Sequence, residues 1–242
     1  MPDLGKQALN KVVEVGISSQ LDEVEDLKVD VESDPMKLMS GEVESVEIEG
    51  KGMVMQKDLR VEEMQVKTGN VAVNPLKAAF GQIELSHPTN ATVQVTLTEA
   101  DINRAFNSQF IQEKLQNLDV HVNGERVTVD TQRVEFGLPG ECKVAIKTDV
   151  VLRSTGETKQ TAFTAVPRME ANGQQVVLED VQYEAGQELS PELTDALLAE
   201  ARELLDLRNF ELDGMVLRLR HLDVQSNRLL LEAEAQVDKI PT

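Results

Sequence analysis

Tryptophan is absent from this 242-residue chain, tyrosine and cysteine occur once each, and aromatic residues make up only 3% of it. The interior therefore has to be packed from aliphatic side chains and methionines, which adapt their shape more readily than aromatic rings. The lone Cys142 has no partner for an intramolecular disulfide, so nothing points to an oxidising compartment. It lies in an alternating stretch with Val144 and Ile146, where a small buried hydrophobe is expected. Positive charge is scarce as well: 24 Lys and Arg against 43 Asp and Glu leave a formal net charge of −19. That balance opposes nucleic-acid binding, which depends on cations against phosphates. It also opposes broad adhesion to an anionic bilayer and mainly serves solubility.

No apolar run approaches the roughly 18 residues of a membrane span. The N-terminal stretch is interrupted by Lys11 and Glu14 and lacks the apolar region of a signal peptide. The expectation is a soluble, cytoplasmic protein, with peripheral membrane association as an alternative. Signatures of catalysis are missing too. Gly16-Ile17-Ser18-Ser19-Gln20 lacks the closing glycine of a nucleophile elbow, and Gly50-Lys51-Gly52 lacks the third glycine of a dinucleotide loop. His87, His121 and His221 each stand without a second ligand at metal spacing. Carboxylates are plentiful, yet none lies in a recognisable acid–base context. No catalytic residue, metal site or cofactor is indicated, and with no Pro-, Gly- or Ser-rich linker the chain reads as one domain over residues 1–242.

What the sequence does contain is repetition. Val24–Val29, Val43–Ile48, Val61–Val66 and Leu178–Tyr183 share the pattern apolar, Glu, any, apolar, any, apolar, and Leu219–Val224 repeats it with Arg220 in place of Glu. The first two apolar positions are three apart, so the inward face changes phase once per strand. One extra residue of that kind is a β-bulge, and repeated bulges predict a strongly curved sheet. Asp34-Pro35 through Gly41 matches Asn74-Pro75 through Gly81: a capping Asp or Asn, Pro at the first helical position, Gly at the exit. Each predicts a short helical turn between strands.

Longer helices are expected at about 4–20, 98–118 and 190–207. The first carries Leu4, Ala8, Val12 and Val15 on one face, which suits packing against the body or lying on a membrane. In the second, Thr98 caps the helix with Asp101 three residues on, and Ile102, Phe106 and Phe110 recur every four residues. This helix would lie in the concave side of the sheet. Further strands are expected at about 126–136, 142–152, 158–167 and 175–184, turning at Pro139-Gly140 and Thr155-Gly156. A final hairpin around Ser226-Asn227 closes the chain.

The repeated Pro-containing turns, the strands that follow them and the segment Thr92–Ser108 resemble the LmeA-like phospholipid-binding domain family of bacteria, most of all its cyanobacterial members, over roughly residues 5–238. The resemblance implies an α+β fold similar to tubular lipid-binding proteins: a strongly curved antiparallel sheet wrapped around long amphipathic helices. It further implies binding of phospholipid or another acyl lipid in an apolar groove, and no enzymatic step. Met53, Met55 and Met64 would form adaptable walls, and Phe106 and Phe110 would line or plug the groove. The short turns carrying Met36, Leu38, Met39, Leu76 and Phe80 would form a mouth that contacts the bilayer transiently. The competing reading is an interaction domain with a closed core and an acidic partner-binding surface.

Overall fold

Among the described residues strand far outweighs helix, so sheet carries the fold. The computed structural model describes residues 4–55, 58–74, 85–122, 124–184, 189, 191–204, 206–210 and 214–238. Two antiparallel sheets account for most of it. The first has six strands in the order β1 (Asp26–Glu32), β3 (Ser45–Met55), β4 (Leu59–Thr68), β6 (Thr89–Thr98), β13 (Arg228–Val237), β12 (Met215–Gln225). The second has five, in the order β11 (Val176–Tyr183), β10 (Glu157–Met169), β9 (Lys143–Leu152), β8 (Glu125–Gly140), β7 (Leu118–Val122). A short ribbon pairs β2 (Glu42–Val43) with β5 (Val71–Ala72). The sheet curls into a half-barrel.

Two of the five repeated hexapeptides are bulged. The β10–β11 register shifts between Thr164 and Val166, opposite Asp180 with φ 49°, and the β12–β13 register shifts at Arg220, between Leu219 and His221. The other three keep an unbroken register. In the second copy the phase change falls at Glu44, between β2 and β3. In the strand facing the third copy, Gly52 takes a φ of +55° and turns Met53 back over Gly50, where a Cβ would stand 2.0 Å from the Met53 sulfur. The turn expected at Pro139-Gly140 lies one step on: Glu141 and Cys142, with φ 57° and 58°, join β8 to β9. Two successive left-handed residues make the tight turn that matches strand twist. Cys142 is exposed there and is not the buried hydrophobe its alternating context suggests.

Long amphipathic helices are not what the fold uses. Helix α1 spans Leu4–Ser18 and lies along β1, where Asn10 accepts from the edge N–H of Val31 (2.9 Å) and Lys6 pairs with Asp30 (2.8 Å). Helix α2 is one turn, Pro35–Met39, capped by Asp34 and closed by Gly41 with φ 82°. The central segment forms two helices, α3 (Glu99–Asn107) and α4 (Gln109–Lys114), and Leu118 already belongs to β7. The break is at Ser108, which is extended (ψ 148°) and buried. Its hydroxyl donates to Ala105 O (2.7 Å) while accepting from Ile111 N (3.4 Å), ending one helix and starting the next. Serine competes in this way with the helical backbone. Helix α5 (Pro191–Leu204) packs through Leu193 and Leu197 on Val120, Val129 and Val150 of the five-stranded sheet.

Helix α3 packs on β4 of the six-stranded sheet and on β8 of the five-stranded sheet. The capping box forms: Asp101 N donates to Thr98 Oγ1 (3.1 Å) and Thr98 N to Asp101 Oδ2 (2.8 Å). On one side Asp101, 3% exposed, takes a 2.5 Å ion pair from Arg60 of β4. On the other, β8 runs on past the end of β7 and leaves an unpaired edge. Asn103 satisfies it by donating to Phe136 O (2.8 Å) and accepting from Phe136 N (2.9 Å), and Glu99 accepts from Leu138 N (2.8 Å). Burial pushes the Asp101 carboxyl up, but the hydrogen bonds from Thr98 and Arg60 outweigh it and hold the group below its ordinary value. Its contribution to stability is therefore full above the unfolded value of about 4 and is lost as pH falls through the lower folded value. Asp101→Asn is expected to cost roughly 2–3 kcal/mol at pH 7 in urea unfolding, moderated because Glu25 and Glu62 also pair with Arg60. The gap between parent and variant should narrow below about pH 4, and a gap constant down to pH 2 would refute this role.

Candidate functional site

The register of the six-stranded sheet sorts its residues into two chemically opposite faces, because directly paired residues share a face. On one face runs the row Lys28, Glu49, Gln65, Gln94, Glu232, His221, and beside it Asp30, Glu47, Lys67, Thr92, Glu234, Arg218. Ion pairs such as Lys67–Glu47 (2.8 Å) and Arg220–Glu234 (2.5 Å) cross the strands on this solvent side. On the other face the rows are aliphatic. One reads Val29, Ile48, Val66, Val93, Ala233, Leu219; the next reads Leu27, Gly50, Met64, Val95, Leu231, Leu222.

Burial along these rows is uneven. Leu27, Val29 and Val31 on β1 are buried, as is Leu219 on β12, while Ile48, Met64, Val66, Val93, Val95, Leu231 and Ala233 between them are only half-buried. Apolar surface thus stays partly open along the middle of the sheet. At its far end Val224 and Leu229 pack with Leu138, Val144 and Ala165 of the five-stranded sheet, together with Ile102, Phe136, Ile146 and Phe163. The apolar face accordingly continues from one sheet to the other past α3.

The sequence-derived candidates fall into three places. Met53, 1% exposed, and Met64 are neighbours on the apolar face across Gly50, with Met55 two residues further along β3. Phe106 stacks on Phe136 at the joint between the sheets, ring centroids 6.0 Å apart, and Phe110 lies half-buried on α4 with Lys114 Nζ 5.2 Å from its ring centre. Met36, Leu38 and Met39 on α2 are 81%, 41% and 86% exposed, in the connection between β1 and β3. Leu76 and Phe80 lie outside the described residues. The aliphatic rows Ile48–Val66–Val93–Ala233 and Val95–Leu231 were not singled out from the sequence. The alternation in β6 and β13 signals a buried face, but only the register shows these residues side by side.

The buried carboxyls of Asp101 and Asp206 are committed, the first to Arg60 and the second to Arg208 and Gln175. The Arg208 guanidinium holds Asp206 well below the usual carboxylate range. His87, His121 and His221 are all exposed. Among the described residues no group of three or more His, Cys, Asp or Glu could hold a metal ion, and no helix is long and apolar enough to cross a membrane. Two surface hollows of about 510 and 680 Å³ are lined largely by polar and ionic groups, including Lys67, Arg218 and Glu234 in one and Asp119, Arg126 and Arg153 in the other. Neither suits an acyl chain.

Fold and surface together define a curled β-sheet protein with a half-buried aliphatic face on its six-stranded sheet. A family model described as LmeA-like phospholipid-binding matches residues 3–234, nearly the whole chain. The chain belongs to the LmeA-like phospholipid-binding family, and lipid binding is the function that membership supports. No curated protein and no solved structure matches it.

Proposed function

We propose that the protein binds a phospholipid, or another acyl lipid, with its chains laid along the aliphatic face of the six-stranded sheet, and that it does so without chemically changing it. The observation that carries this reading is the half-buried state of Ile48, Met64, Val66, Val93, Val95 and Leu231 in the middle of an otherwise apolar face. A closed interaction domain would bury them. Each methylene removed from water is worth about 0.8 kcal/mol, so a sixteen-carbon chain represents roughly 12 kcal/mol before the costs of ordering and opening. Aliphatic and thioether walls suit such a ligand because they accept chains of varied length and unsaturation. Met53, Met55 and Met64 form part of the wall, Phe106 lines the passage beside Phe136, and Phe110 lies at its rim.

Helix α2 is the proposed point of lipid exchange with a bilayer. Met36 and Met39 project into solvent at the end of the sheet marked by Val31 and Val46. The surrounding Asp34, Glu42 and Glu44 disfavour an anionic surface, so a zwitterionic or uncharged membrane is the proposed partner.

Met64→Gln with Val66→Thr and Val93→Thr keeps size and strand preference while making the face polar. This variant is expected to stay folded and to retain lipid roughly ten- to hundredfold less than the parent in extraction and mass analysis. Gln94→Ala on the opposite face is the control. Equal retention by all three proteins would remove the aliphatic face as the site. Met36→Asp with Met39→Asp should leave the melting temperature unchanged and slow lipid uptake from phosphatidylcholine vesicles roughly tenfold. Unchanged uptake would remove α2 as the contact.

A further inference from the structure

Among the described residues four hydroxyls are buried without a hydrogen-bond partner: Thr148 Oγ1 on β9, Thr161 Oγ1 on β10, Tyr183 Oη on β11 and Thr194 Oγ1 on α5. Buried polar groups in native proteins are paired as a rule, so each unpaired one calls for an explanation. Three of them share one face of the five-stranded sheet. Thr148 and Thr161 are directly opposite each other. Tyr183 is opposite Phe163, two residues along β10 from Thr161 and so on the same face, with the two rings 5.7 Å apart. Thr194 comes from the helix packed across this face and follows Leu193, which clusters with Val150, two residues from Thr148.

The hydroxyls border apolar surface on one side. The next row of the same face is Phe136, Ile146, Phe163 and Tyr183, and beyond it lie Leu138, Val144 and Ala165, which meet Val224 of the six-stranded sheet. Among the described residues neither the hydroxyl row nor the aromatic row carries a Lys or Arg. Lys159, one row away opposite Val150, is paired with Glu157 (3.6 Å). A phosphate withdrawn from water needs positive partners, whereas an uncharged group rich in acceptors needs only donors.

We infer that this hydroxyl cluster is a binding site for the glycerol–ester region of a diacyl lipid, whose carbonyl oxygens accept from Thr148, Thr161 and Tyr183 while the chains follow the apolar rows. This rests on the lipid-binding reading above and adds which part of the lipid is recognised. It makes retention depend on the ester linkage rather than on the head group.

The test incubates delipidated protein with vesicles of dioleoylphosphatidylcholine or of its dialkyl ether analogue and counts bound lipid by native mass spectrometry. The parent is expected to take up the ester lipid about tenfold better, since the ether analogue lacks the carbonyl acceptors. The variant combining Thr148→Val, Thr161→Val and Tyr183→Phe should lose that preference and, without lipid, melt no lower than the parent, because it removes unpaired groups at constant shape. Equal uptake of both lipids by the parent, or an unchanged preference in the folded variant, overturns the ester site and leaves lipid binding standing. No uptake of either lipid by the parent overturns both.

Discussion

The unpaired edge of β8 is the constraint on which the rest of the molecule depends. Beyond Val129 no strand pairs with it on the β7 side, Leu115 O and the Gln116 amide cover it only at Thr131, and bare N–H and C=O groups further on would invite pairing with another chain. Asn103 answers it with a side-chain amide that supplies one donor and one acceptor to Phe136, as a neighbouring strand would. Glu99 adds a second acceptor at Leu138, one turn away on the same helix. Because α3 is tied at the same time to β4 through Arg60 and Asp101, satisfying that edge also fixes one sheet against the other. A second tie lies at the opposite edge, where Leu219 of β12 donates to Gly173 O (2.7 Å) beside the bulge at Arg220. A Cβ at Gly173 would stand 2.6 Å from Leu219 O, so only glycine permits the approach.

These ties let the aliphatic face stay half-open. In a protein held together only by its core, leaving Ile48, Val66, Val93 and Leu231 partly exposed would cost stability without return. Here polar and ionic contacts at the joint tie the sheets together, and in the proposed function the face they leave half-buried is where the lipid lies. Rings pair in Phe106–Phe136 and Phe163–Tyr183, while aliphatic side chains form most of the half-buried face.

Much of this was legible in the residues because it depends on local chemistry. The Asp34-Pro35 turn closing at Gly41, the Thr98 capping box and the hairpin at Ser226-Asn227 each follow from a few neighbouring side chains. The bulges at Asp180 and Arg220 could be read from the repeated hexapeptide, but the same pattern in three other places was met by a strand break, a glycine or the start of a strand. The helix expected over 98–118 breaks because Ser108 is buried and bonds both ways along the backbone, a choice that apolar spacing does not reveal. The turn at Glu141-Cys142 escaped because neither residue is a usual left-handed one. The aliphatic rows escaped for a different reason: each strand states which of its own residues point inward, but which inward residues stand side by side is a property of register between segments up to some 140 residues apart in sequence, as with Val93 and Ala233.

The most direct test of lipid binding on this face is native mass spectrometry of the protein as purified, followed by organic extraction. Species heavier than the 26.8 kDa polypeptide by the mass of a diacyl lipid, near one per chain and recovered as that lipid on extraction, are the expected result. A single species at the polypeptide mass, unchanged after incubation with phosphatidylcholine vesicles, would contradict the account.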